Sequence, residues 1–212
     1  MIIEVCAESY EYAVEAEKAG ADRIELCKDL HLDGLTPDYE SAKRTIDTLN
    51  IPIFILIRPR EGDFVYSNEE FELIKNDIVK FKEMGCKGIV SGVLSTDQSI
   101  DIKRTKELVE LSRPLDFTFH RAFDIVSNPL KEIEKLIEIG VNRVLTSGQK
   151  EKAIDGLVLL KQLNIISKNR IKIMPGSGIN KSNIVNFESF EEIHGSFTKC
   201  LKTVVDMSKN NT

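Results

Sequence analysis

Two short patterns in this chain place metal-binding and proton-handling side chains at matched spacing. Glu4-Val5-Cys6 and Glu25-Leu26-Cys27 repeat Glu-x-Cys. In extended backbone the alternation puts Glu and Cys on one face and Val5 or Leu26 on the other. On neighbouring strands, about 4.8 Å apart, the Cys6 and Cys27 thiols suit a soft ion such as Cu(I). The same two residues also fit the description of small buried hydrophobes. Arg58-Pro59-Arg60 offers two guanidiniums on one face, with Pro59 holding Arg58 extended. Their planar forks match the oxygens of a carboxylate or phosphate. Carboxylates buried nearby need partners, so Glu4 and Glu25 are expected to pair with Arg58 and Arg60. His120, in Thr118-Phe-His-Arg-Ala-Phe-Asp124, is the residue best suited to move a proton near neutral pH. Asp124 is expected to orient its imidazole, and Glu25 is the third candidate catalytic group. Arg121, Thr146 and Ser147 add polar groups, while Gly176, Gly178 and Ser196 let backbone N–H groups approach an anion. Those glycines serve equally well as tight turns.

Each of these groups follows a short apolar run rich in β-branched residues. The runs predict strands over 2–5, 23–26, 53–57, 88–91, 116–119, 143–146, 171–174 and 191–194. Helical patterning predicts helices over 10–19, 39–49, 68–84, 102–112, 129–139, 150–163, 182–187 and 197–207. Ser67, Asp101 and Asn128 read as N-caps, Ser67-x-x-Glu70 as a capping box, and Gly20, Gly85 and Gly140 as helix stops. Eight strand–helix units of about 26 residues indicate an α/β chain with a parallel sheet. No G-x-G-x-x-G follows the first strand, which counts against a dinucleotide-binding sheet. The expectation is a (β/α)8 TIM barrel, one domain over 1–212, with function at the C-terminal ends of its strands.

Composition narrows the rest. The 212 residues are 42% hydrophobic and 30% charged, and 29 Lys and Arg against 34 Asp and Glu give a formal charge of −5. That acidic balance argues against nucleic acid as a partner. No apolar run is long enough to span a membrane, so a cytoplasmic protein without membrane partners is expected. Cys6, Cys27, Cys86 and Cys200 show no zinc-ligand spacing and are expected to be free thiols, with Cys86 and Cys200 structural.

Five runs, Arg23-Ile-Glu-Leu-Cys27, Gly34-Leu-Thr-Pro37, Ile57-Arg-Pro-Arg-Glu-Gly-Asp-Phe64, Thr118-Phe-His-Arg-Ala-Phe-Asp124 and Arg143-Val-Leu-Thr-Ser-Gly-Gln149, closely resemble the CutC family, named for copper homeostasis. The resemblance runs from Ile3 to about Ser196 and implies a cytoplasmic (β/α)8 barrel that handles intracellular copper. It implies Cu(I) as the bound metal, with Cys6 and Cys27 as ligands. The chain departs from the family pattern in three places. Cys6-Ala7 stands where many members have Cys-Cys, and Asp33 stands where they have the first glycine of Gly-Gly-Leu-Thr-Pro. Only 197–212 follow the eighth strand, so an abbreviated C-terminal end is expected. The alternative is a barrel enzyme acting on a small anionic phosphate or carboxylate metabolite, with His120 as acid or base. A homodimer or higher homo-oligomer is the remaining partner expectation.

Overall fold

The computed structural model describes residues 1–197 and 201–209. Eight strands form one parallel sheet: β1 (Ile2–Ala7), β2 (Arg23–Leu26), β3 (Ile53–Leu56), β4 (Gly88–Ser91), β5 (Asp116–Phe119), β6 (Arg143–Thr146), β7 (Lys172–Pro175) and β8 (Glu192–Gly195). Their order is β7-β6-β5-β4-β3-β2-β1-β8, and β7 packs beside β8, so the sheet closes into a barrel. Every expected strand is present, with ends moved by two residues at most. Seven helices surround it: α1 (Tyr10–Ala19), α2 (Tyr39–Thr48), α3 (Asn68–Glu83), α4 (Ile102–Ser112), α5 (Pro129–Glu138), α6 (Leu157–Ser167) and α7 (Leu201–Lys209).

Strand alternation divides the apolar residues into two unequal sets. Ile3, Val5, Ile24, Ile55, Ile89, Phe117, Phe119, Val144, Ile173 and Ile193 join the extensive core between sheet and helices. Burying each is worth about 1.5–3 kcal/mol, so this outer layer carries the fold. Inside the barrel the apolar cluster is only Cys6, Cys27, Phe54, Leu56 and Val90, with Leu30 against it. Leu145 and Met174 are buried there as well, and a charged set joins them: Glu4, Arg23, Glu25, Arg143, Glu192 and His194 are all buried. Gly88 makes room for this arrangement, since a Cβ there would lie 2.4 Å from the Phe54 ring.

The helix punctuation follows the sequence. Ser67 and Glu70 form a reciprocal capping box on α3, and Gly20 ends α1 in the left-handed conformation. Asp101 accepts from the Arg104 N–H and Asn128 from the Lys131 N–H. Asp33 occupies a left-handed position at φ 62°, which explains why glycine suits it and why aspartate is among the better substitutes.

Three helices differ from expectation. The sixth starts at Leu157 rather than at 150, because the chain after β6 doubles back on itself. A Cβ on Gly156 would lie 1.9 Å from the Ser147 carbonyl oxygen, and the Ala153 N–H donates to Ser177 O at 3.0 Å. After β7, the helix expected over 182–187 is only a 3-10 turn, Ile184–Phe187. Asn183 accepts from the Asn180 N–H at 2.8 Å and Asn180 from the Ser182 N–H at 2.9 Å, local bonds that compete with helix formation. The last helix does not begin at 197, where Phe197 is left-handed at φ 48°, and the described part of it is α7, Leu201–Lys209. Residues 198–200, and with them Cys200, lie outside the described residues.

Helix α7 packs on α1, with Val204 and Val205 buried, and Tyr12 Oη donates to Ser196 O at the same corner. Removing 197–212 strips the two valines and Phe197 from the core. Calorimetry is expected to show a melting temperature lower by roughly 10 °C, as several kcal/mol imply for a domain of this size. An unchanged melting temperature would mean that α7 contributes nothing to the barrel.

Candidate functional site

The site is built on strand register. Across β1 and β2, Glu4 stands level with Arg23 and Cys6 with Glu25; across β1 and β8, Glu4 stands level with His194. Arg23 Nε donates to Glu4 at 2.5 Å, and its Nη2 reaches Glu192. Arg143 bonds Glu192 at 3.0 Å and Asp116 at 2.9 Å, and both guanidiniums lie over the Phe54 ring, at 4.7 and 5.0 Å. Glu4 and Glu25 therefore do not pair with Arg58 and Arg60. Arg23, at the start of β2, pairs with Glu4, and His194 on β8 faces both Glu4 and Glu25.

This network sets the state of His194. Burial raises the Glu4 pKa, but Arg23 and then His194 outweigh it and bring Glu4 down to about 2. An ionised Glu4 can only accept, so the 2.8 Å contact means that His194 Nδ1–H donates to it. Nε2 then faces Glu25, 3.4 Å away. Burial lowers the His194 pKa, yet Glu25 and Glu4 together leave it above its ordinary value. Glu25 is raised, chiefly by burial.

Next to this pair lies the thiol pair. Cys6 Sγ and Cys27 Sγ are 3.5 Å apart, although Cys6 is level with Glu25 and Cys27 sits beyond it. The side chains close the stagger that the strands impose. One ligand atom each from Cys6, Glu25 and His194 lie within 4.8 Å of one another. The contact with Cys27, then burial and Glu25, push the Cys6 thiol well above its ordinary pKa. Cys86 is buried away from this group, and burial raises its pKa to about 11.

Above these residues the mouth opens as a cavity of about 490 Å³. Cys6, Glu25, His194, Arg58, Phe64 and His120 line it, with Arg121, Asp124, Gly178 and Ser196 also on the wall. The His120 Nδ1 accepts from the Ala122 N–H at 3.3 Å, which places the proton on Nε2. Burial and then the Arg58 charge lower its pKa to about 3, so the ring is neutral at physiological pH. His120 is thus a hydrogen-bond donor rather than the near-neutral acid–base group that its residue type suggested.

Other expected placements also change. Asp124 does not touch the imidazole. It accepts from Thr146 Oγ1 at 2.5 Å, Ser147 N at 2.9 Å, Gln149 N at 3.1 Å and Arg121 Nε at 2.8 Å, fixing the loop after β6. Thr146 and Ser147 are wholly buried in that loop, and the Gly176 N–H is spent on Thr146 O. Arg60 leaves the mouth altogether, bonding Glu70 at 2.5 Å and Asp63 at 2.9 Å. Strand β3 ends at Leu56, so alternation no longer governs Arg58 and Arg60. The sequence reading missed Arg23, Arg143 and Glu192. Their signal was a charged residue at the first position of a strand, on the parity of the inward face.

Residues 1–199 match the model of the CutC family. The chain belongs to that family. A CutC family protein from Pasteurella multocida is 44% identical over 197 residues, covering 92% of this chain and 81% of its own length. A human copper homeostasis protein cutC homolog is 46% identical over 183 residues, covering 86% of this chain and 67% of its own. A CutC crystal structure from Streptococcus agalactiae superposes with a TM-score of 0.87 at 30% identity, covering 92% of this chain and 98% of the other. An aldolase at 14% identity, TM-score 0.72, shares the barrel fold alone. Among the described residues of this CutC chain, no helix is long and apolar enough to cross a membrane.

Two pH effects follow from these pKa shifts. Glu4 titrates near 2 in the folded chain against 4.5 ordinarily, so its share of stability is present above pH 4.5 and lost as pH falls toward 2. His120 resists protonation down to about 3 against 6.5 ordinarily, so acid draws the chain toward unfolding from pH 6.5 downward. In histidine-selective NMR, the His120 Nε2–H tautomer is expected to persist unchanged through pH 5. A midpoint near 6.5 would refute the burial argument.

Proposed function

We propose that this protein binds copper(I) at the floor of the barrel mouth, as cargo of the copper homeostasis for which its family is named. The observation that carries the reading is the thiol pair. Two sulfurs 3.5 Å apart suit a single metal held at roughly 2.3 Å from each, the usual metal–thiolate distance for zinc. Paired thiolates select Cu(I) or Zn(II) over hard cations. The donor set therefore fits. Cys6 and Cys27 would supply the sulfurs and His194 Nε2 a nitrogen, with Glu25 adjacent.

The Glu4–His194 bond supports the same reading. A ligating imidazole commonly donates its other N–H to a carboxylate, which fixes the ring and strengthens the ligand. Here Arg23 holds Glu4, Glu4 holds Nδ1, and Nε2 is left to face the sulfurs' side of the cavity. Binding must displace the thiol protons and any proton on Nε2, so affinity rises with pH. The reading places the protein in a reducing cytoplasm, where the pair remains as thiols.

Anaerobic Cu(I) titration against a competing chelator tests it. Cys6→Ser and Cys27→Ser are each expected to abolish the site, while Cys86→Ser keeps it. His194→Gln is expected to weaken binding, and Glu4→Gln to cost about 10- to 100-fold, the usual effect of losing such an outer partner. Wild-type affinity in both mouth-thiol variants would end the proposal. Preference for Zn(II) over Cu(I) would keep the site and change the cargo.

A further inference from the structure

A single metal ion leaves most of a 490 Å³ cavity unused, and the part of its wall formed by Arg58, Phe64 and His120 is built differently from the thiol pair. Arg58 is only 4% exposed, yet among the described residues no carboxylate pairs with it. Its Nη1 donates to Leu32 O at 2.7 Å and Gly34 O at 3.0 Å, and its Nη2 to Gly62 O at 3.1 Å. Those are neutral acceptors, so the charge itself is unanswered, and the buried Nε has no hydrogen-bond partner. The buried His120 Nε2, which carries the proton, has none either. Two buried, unpaired N–H donors are costly, because each has lost water without gaining an acceptor. Both residues line the cavity.

We propose that Arg58 and His120 form a binding site for the carboxylate of a small organic monoacid, the ligand supplying the counter-charge and acceptors that the protein lacks. Charge decides the class. Arg121 is already paired with Asp124, and Glu25 and Asp33 add acidic groups to the same cavity. Arg58 is the guanidinium there without a carboxylate partner among the described residues, and the nearby acids oppose a second negative charge, which matches a monoanion and disfavours a phosphate dianion. Leu30, Leu56, Phe64, Ile125, Leu145 and Ile179 also line the cavity, so the body of the ligand is apolar. The Phe64 ring packs against both donors, 5.1 Å from the Arg58 guanidinium and 4.9 Å from the His120 ring. Phe64 lies outside any helix or strand, and both N–H groups are buried, so the proposal requires that ring to turn aside for a carboxylate to reach them.

Sodium butyrate is the probe, with butyramide as its uncharged counterpart and inorganic phosphate as the competing anion. Added to the metal-free full chain at millimolar concentrations, butyrate is expected to move the His120 Nε2–H resonance saturably, and butyramide and phosphate to leave it in place. By calorimetry His120→Phe and Arg58→Met are each expected to weaken butyrate binding roughly tenfold or more, the loss of one charge-assisted bond. Because Arg58 also ties two loops together, Arg58→Lys provides the control that keeps the charge. It too is expected to lose about tenfold, since an ammonium cannot present the Nε edge. Arg58→Lys titrated with Cu(I) is expected to keep wild-type affinity, which separates this site from the copper site. No response to butyrate, an equal response to butyramide, stronger binding of phosphate, or joint loss of butyrate and Cu(I) binding in Arg58→Lys would each overturn the proposal.

Discussion

The ion network inside the barrel is the constraint on which the mouth depends. Barrels of this class usually fill the interior with layers of branched apolar side chains. Here Arg23, Glu4, Glu192 and Arg143 run across it, with the Phe54 ring beneath both guanidiniums. Such a network adds little stability over apolar packing, but losing one partner strands a buried charge and costs about 3–5 kcal/mol. Its return is orientation. With Glu4 pinned by Arg23, the His194 ring has one available pose, and Nε2 is committed to the side of Glu25 and Cys6. A floor of leucines would give the same barrel with a freely turning imidazole.

The fold was legible in the sequence because two signals agreed at each unit. Alternating runs such as Arg23-Ile-Glu-Leu26 marked strands, and capping residues such as Ser67 with Glu70 marked where helices begin. Expectation failed where tertiary contact overrode periodicity. The stretch before Leu157 is helical in pattern, but Gly156 lies against the Ser147 carbonyl and the helix cannot start sooner. The asparagines after β7 divert the backbone into turns in the same way.

The site was legible in part, and the division has a physical cause. Within a strand, parity alone determines which face a residue takes, so Glu4, Cys6 and Glu25 were found on one interior surface. Pairing across strands needs register, which no local pattern contains. Arg58 and Arg60 looked like the natural partners for two buried glutamates because they carry the right charge at the end of the next strand. The partner is instead Arg23, level with Glu4 on the neighbouring strand. Asp124 was misplaced for a related reason, since four residues of spacing say nothing about a 3-10 turn that aims it at the loop after β6.

The two halves of the mouth divide hard from soft chemistry, and electrostatics keeps them compatible. A guanidinium beside a metal site repels the cation, so arginines near the proposed copper floor need an explanation. Arg23 and Arg143 are answered by Glu4, Glu192 and Asp116 beneath the thiols, and Arg121 by Asp124 on the rim. Arg58 is the exception, meeting only carbonyl oxygens. If both proposed ligands bind, the Arg58 charge would oppose a cation at Cys6 with the wall empty, and a seated carboxylate would offset it. Linkage would make such an effect reciprocal, a metal on the floor strengthening an anion on the wall by the same factor. The unpaired arginine that is awkward for a copper site alone is what would let one cavity bind both ligands cooperatively.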